Sequence, residues 1–367
     1  MMDAQHVQSE QSVLFCSLSN ICLDHLVLPG KPPLIDIVGG PGGYATLGAR
    51  IFAASPLSKR IGWLITVGGD FPSQVKEELE SWDLSLSLKI DDKQLTPRGL
   101  QHYEDESFGP VSFHELTPAF DFSPSDLLDA KVAHASAFHL LGTPEMCATY
   151  IPAIHRLRRS AGNPKPCLVV WEPEPRACRT TTRAATVKAA ANVDVVSPNH
   201  LELRRLFEDD FSTSRPTAAM IEDYAQRLVA EGLGRNGDGQ LVVRAAELGC
   251  MVLSRKEPAR WFPAFYSPSR EDVDRARFEG VEVPSHPSVV DPTGAGNAFL
   301  GAFTFELAMS NDISEACCRG IVAASFTLEQ IAFPTLSRGR HGRSKETWNG
   351  IQVEIRLKEY KRRLAMG

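Results

Sequence analysis

Short, mostly apolar runs recur along the chain at residues 13–16, 34–38, 63–67, 111–115, 135–140, 167–171, 193–196, 241–243 and 250–253. Between them, apolar residues fall at helical spacing over 45–54, 72–82, 144–158, 182–191, 218–230, 295–309 and 313–331. Runs without polar alternation belong to strands buried on both faces. Alternating with helices, they predict an α/β fold with a doubly wound, mostly parallel central sheet. Residues 24–33 and 90–117 carry polar, turn-forming and β-branched residues without a helix period, and are expected to form a small β lid. Residues 232–240 and 258–280 read as surface loops. The expected division is a disordered tail at 1–12, one domain at 13–335 with its lid, and a C-terminal extension with a helix at 336–367.

Composition narrows the class of protein. Apolar content of 43% and charged content of 23% are ordinary for a globular chain. The net charge of −6 gives no basic face for nucleic acid, and the basic runs at 338–343 and 358–363 read as solvated surface. No apolar run reaches the ~18 residues that span a bilayer. The first residues are polar and unlike a signal peptide. Eight cysteines form no CxxC pair and no zinc spacing, which predicts buried free thiols and a cytoplasmic protein. The oligomeric state stays open, a homodimer included.

The chemistry concentrates in Val289-Val290-Asp291-Pro292-Thr293-Gly294-Ala295-Gly296-Asn297-Ala298-Phe299, a glycine turn entering an apolar helix. The first turn of such a helix presents unpaired N–H groups and a partial positive charge. Glycine lets an anion come close to them, which suits a phosphoryl group in transfer. A glycine turn before a packing helix is the plain alternative.

Here the chain resembles the PfkB family of ribokinase-like carbohydrate kinases, whose signature reads Asp-Thr-x-Gly-Ala-Gly-Asp. Asp291, Thr293, Gly294, Ala295 and Gly296 match, and Asn297 stands where the family has its catalytic aspartate. The resemblance implies ATP and Mg²⁺ as cofactors and a small-molecule hydroxyl as acceptor. It makes Asp291 a candidate for a monovalent cation. Gly39-Gly40 and the following stretch to Asp70 look like the family's substrate motif, with Tyr44 in place of a common Asn. Asp24 falls where relatives grip two hydroxyls. Asn199 and Glu202 resemble the Asn-x-x-Glu pair that orders Mg²⁺ and phosphate through water. The same two residues also fit a helix cap, and both roles are compatible. Arg244 and Ala246 replace two residues of the Thr-x-Gly-x-x-Gly segment beside the nucleotide. The resemblance runs from about residue 24 to 334 and is closest to a fungal branch of the family. His134 and His139 flank a strand and read as core or rim residues.

Three functions compete. The first is phosphoryl transfer from ATP to a hydroxyl of a sugar, nucleoside or related molecule. The second is a pseudokinase that binds a ligand or serves as a scaffold, since the Asn297 amide cannot accept a proton at neutral pH. The third is an NAD-dependent dehydrogenase, because residues 40–45 fit G-x-G-x-x-A. No acid follows until Asp70, which counts against it. On the first reading, Asn297→Asp is nearly isosteric and should restore a base with little effect on folding.

Overall fold

The computed structural model describes residues 12–104, 111–120, 122–129, 132–209, 216–268, 286–338 and 345–366. The tail at 1–11, most of the loop at 258–280 and basic residues 339–343 lie outside these. The chain begins with β1 (Phe15–Ser17), crosses into the lid with β2 (Cys22–Val27) and β3 (Leu34–Gly39), and returns through α1 (Pro41–Ile51) to β4 (Ile61–Gly68). After α2 (Ser73–Ser81) and β5 (Ser85–Asp91), strands β6 (Arg98–Tyr103) and β7 (Val111–Thr117) complete the lid. Then come β8 (Ala137–Gly142), α3 (Pro144–Ser160), β9 (Leu168–Pro173), α4 (Arg183–Ala190), β10 (Val195–Val196), α5 (His200–Arg205) and α6 (Ala218–Glu231). Strands β11 (Gln240–Arg244), β12 (Cys250–Leu253) and β13 (Arg260–Phe262) precede α7 (Ala295–Ser310) and α8 (Ile313–Thr327). A two-stranded pair, β14 (Leu336–Ser337) and β15 (Thr347–Trp348), leads to α9 (Val353–Met366).

The central sheet has the order β13-β12-β11-β10-β9-β8-β1-β4-β5, parallel from β11 to β5 and antiparallel at the β12–β13 edge. On β9, Val170 packs into one apolar cluster, while Val169 and Trp171 pack into another across the sheet. That two-sided burial is why these runs lack polar alternation. From β1 the chain proceeds to β4 on one side and β8 on the other. A crevice at the carboxyl ends of the strands follows from that reversal.

The lid is a four-stranded sheet in the order β3-β2-β6-β7. The run at 34–38 therefore belongs to the lid and not to the central sheet, because it turns back antiparallel onto β2. Two strands come in addition to the expected ones in the central sheet. Ser85–Asp91 pairs with β4, and Arg260–Phe262 lies within a segment expected to be loop. The C-terminal helix packs on the main body through buried Leu357 and Tyr360, and the Tyr360 hydroxyl donates to the Pro263 carbonyl at 2.8 Å.

Helices α1 and α7 cross at backbone contact. A Cβ at Gly48 would overlap the Ala298 carbonyl oxygen, and one at Gly301 would overlap that of Ala45. Helix α1 and the helix of the glycine turn are thereby held as one unit.

Candidate active site

The glycine turn heads α7 as its sequence requires. Gly294 has φ 74°, a left-handed conformation that glycine adopts without steric penalty. Asp291 folds the approach by accepting the Thr293 backbone N–H at 2.8 Å, and burial pushes its carboxyl up despite that bond. The Thr293 hydroxyl pairs with the Tyr103 hydroxyl of the lid at 2.8 Å.

Across from the turn lie the expected acceptor residues. Tyr44 is buried against Gly294, where any Cβ would overlap its ring. The Tyr44 ring also meets Phe333 edge-on with centroids 5.0 Å apart. A Cβ at Gly39 would lie 2.6 Å from Asp24 Oδ2 and 3.6 Å from the Tyr44 ring. Gly40, at φ 87°, opens α1 just ahead of Pro41. Asp24, Gly39, Gly40, Tyr44 and Gly294 thus form one wall of contacts.

Asp24 is 4% exposed. Burial pushes its carboxyl from 3.8 up to about 6, against donors on Cys22 and Gln101. The folded-state value lies above the unfolded one, so the native state keeps its proton longer. Stability is therefore highest below about pH 4, falls as pH rises toward 6, and stays lowered above it. A shift of about two units amounts to roughly 3 kcal/mol. Asp24→Asn is expected to stabilise the protein by about 1–3 kcal/mol near neutral pH and by little near pH 4. Thermal melts of both proteins at the two pH values check this, and an equal gain at both would rule out titration of Asp24. A carboxylate kept where it lowers stability is a functional-site candidate.

The other half of the site is an ionic cluster at the carboxyl ends of β9 and β11. Asn297 Nδ2 donates to Glu172 Oε2 at 2.7 Å. Arg244 Nη1 pairs with Glu172 Oε1 at 2.7 Å, and its Nη2 lies 3.4 Å from Glu202 Oε2 and donates to the Ser197 carbonyl at 3.0 Å. His139 Nε2 lies 3.2 Å from Glu172 Oε2, and its Nδ1 lies 3.3 Å from the Ser17 hydroxyl. Burial raises the Glu172 carboxyl, but Arg244, His139 and Asn297 outweigh it and hold it below the ordinary range. The guanidinium sits against the glycine turn, 2.5 Å from where a Gly296 Cβ would be.

This cluster changes two expectations. Asn297→Asp alone would set a second carboxylate against Glu172, so it cannot leave folding untouched. Nor do Asn199 and Glu202 stand ready for Mg²⁺. The Asn199 side chain caps α5 by accepting from the Leu201 and Glu202 N–H groups at 2.9 and 2.8 Å. Glu202 closes the box, accepting from Asn199 N at 2.7 Å and Asn199 Nδ2 at 2.6 Å. With Arg244 beside the same carboxylate, a dication there would meet a like charge at ion-pair distance. Burial also raises Glu202 to about 7, more than Arg244 lowers it. These residues do not fit the water-ordered magnesium arrangement that the motif implies. In the loop after β11, Ala246 keeps φ 48°, so the backbone holds a glycine-like form with an alanine in it.

Glu172 is the residue that sequence reasoning passed over. Its signal was an acid in Trp171-Glu172-Pro173 at the end of a buried run, where an α/β crevice opens. His139 is buried in the cluster, whereas His134 is exposed away from it.

The pfkB family carbohydrate kinase profile matches residues 40–333. The chain is 30% identical to protein MAK32 of Saccharomyces cerevisiae over 333 residues, 89% of this chain and 85% of that protein. It is 28% identical to an uncharacterized protein of Schizosaccharomyces pombe over 350 residues, 95% and 93% of the two chains. Both are fungal, in line with the expected branch. The crystal structure of ribokinase from Cryptococcus neoformans var. grubii in complex with ADP has the same fold, with a TM-score of 0.61 at 16% identity and coverage of 96% and 99%.

Proposed function

The chain belongs to the pfkB family of carbohydrate kinases, and from that we propose that it binds ATP along the Gly294–Gly296 turn and transfers the γ-phosphoryl group to a hydroxyl of a sugar, nucleoside or related small molecule. The observation that carries this reading is the unbroken wall from Asp24 through Gly39 and Tyr44 to Gly294. It links the Asp24 carboxylate to the N-terminus of α7, which supports reading Asp24 as the grip on the acceptor's hydroxyls. Asp24 and the backbone at Gly39–Gly40 hold the acceptor. The N–H groups of the first turn of α7 meet the charge on the transferring group. Asn297 orients the hydroxyl through its amide and takes no proton from it. Phosphoryl transfer rests mainly on positioning and electrostatics. A missing base lowers the rate by about 10²–10⁴-fold, which leaves a slow enzyme. The eight unpaired thiols favour work in the cytoplasm.

A second reading, a pseudokinase that binds a ligand or serves as a scaffold, has its own support. Tyr44 and Arg244 crowd the two glycines of the turn. Calorimetric titration with ATP, followed by ADP release over a panel of sugars, nucleosides and alcohols, separates the two. The kinase reading expects ATP binding and slow, acceptor-dependent ADP release. Binding with no release for any acceptor favours the second, and absence of ATP binding sinks the first.

A further inference from the structure

We propose that Arg244 supplies at this site the positive charge that the family motif assigns to Mg²⁺ beside Glu202, so that a polyphosphate binds here without a metal ion. This rests on the nucleotide reading of the cleft. The guanidinium lies at the one place common to every part of the phosphate half. It touches Glu172 on β9, Glu202 on α5, the carbonyl of Ser197 after β10, and the space over Gly296 at the head of α7. Both Asn-x-x-Glu residues are turned in on the cap of α5, and among the described residues it is the Arg244 guanidinium that lies against this turn.

Arg244 is also incompletely satisfied. Its Nε is buried and donates to no acceptor among the described residues. An unmet buried donor opposes folding, and although Arg158 Nε shares that condition, only Arg244 of the two combines it with a place against the glycine turn. A donor left over on a buried cation is a place for an oxygen. A phosphate offers several of them in the planar geometry that guanidinium matches. Lysine would bring the charge without that fork, so the two residues are not equivalent here.

The test is calorimetric titration of the full chain with ATP, ADP and inorganic tripolyphosphate, each in excess EDTA and in Mg²⁺. The wild type is expected to bind in EDTA within about threefold of its affinity in Mg²⁺, and Arg244→Gln to weaken binding in EDTA by about 10–100-fold, as loss of a hydrogen bond to a charged group predicts. Arg244→Lys should recover part of it. Because Arg244→Gln removes the guanidinium from Glu172 and leaves it only His139 and Asn297, each variant's fold is checked by circular dichroism, and Arg244→Gln/Glu172→Gln is titrated beside it. Binding by the wild type only when Mg²⁺ is present overturns the inference and leaves the ATP reading intact. Unchanged affinity in the folded double variant overturns it as well. Tripolyphosphate bound through Arg244 in EDTA, with no nucleotide bound in either condition, supports the anion site and removes the ATP reading. No binding of any probe removes both.

Discussion

Asn297→Asp combined with Glu172→Gln is expected to release ADP faster than wild type by about 10²–10⁴-fold, the contribution of a general base, whereas Asn297→Asp alone gains no rate and loses stability. The reason is the 2.7 Å contact between Asn297 Nδ2 and Glu172 Oε2. Replacing the amide nitrogen by an oxygen sets two carboxylates at that spacing, and one of them must hold a proton. Arg244 and His139 hold Glu172 ionised, so the proton falls on the new carboxyl at position 297. The single variant therefore has no base at 297, and the added acid beside the Glu172 carboxylate lowers stability. Glu172→Gln turns the contact round. Its amide donates to the new carboxylate, and Arg244 still offers a guanidinium nearby. Acceptor-dependent ADP release and thermal melts of wild type, both single variants and the double variant give the full cycle. Equal rates in Asn297→Asp and the double variant would show that Glu172 has no bearing on the position. ATP binding without any gain in the double variant would show that more than a base is missing.

Gly301→Ala is expected to destabilise the fold by about 3 kcal/mol and to abolish ATP binding. In an isolated helix the same change is favourable by about 1 kcal/mol. Here the added methyl overlaps the Ala45 carbonyl, which is backbone inside α1 and cannot swing aside. The helices must part instead, which loosens the packing of Leu47, Phe299 and Phe303 around the crossing. Overlap outweighs propensity, so the melting temperature falls. A variant as stable as wild type would mean that α1 and α7 lie farther apart than described.

The α/β class and the glycine turn were legible because both are local. Two-sided burial leaves mostly apolar runs, and the turn needs glycine where Gly294 takes a positive φ. The membership of strands was less so. The run at 34–38 resembles a central strand in composition, yet its partner is decided by the turn that folds it onto β2. Ser85-Leu-Ser-Leu-Lys-Ile-Asp91 carries the two-residue alternation of a half-buried edge strand and could have been assigned from it. The ionic cluster was out of reach for another reason. Glu172 and Asn297 are 125 positions apart, and their contact depends on where β9 stands relative to α7. A motif shows an acid missing at 297. Only the fold shows another one at hydrogen-bond distance.

The position of Asp24 on the lid has a kinetic consequence. Asp24 and Tyr44 are buried, so on the proposed function an acceptor held by Asp24 requires the lid sheet to move away from the glycine turn. That movement breaks bonds that include Tyr103 to Thr293 at 2.8 Å and Arg176 to the Phe113 carbonyl at 3.2 Å. Collective movements of this kind run on microseconds to milliseconds. On that function, entry into the cleft would be gated by how often the lid opens, and an occupant that fits both walls would leave no faster than the lid lets it go.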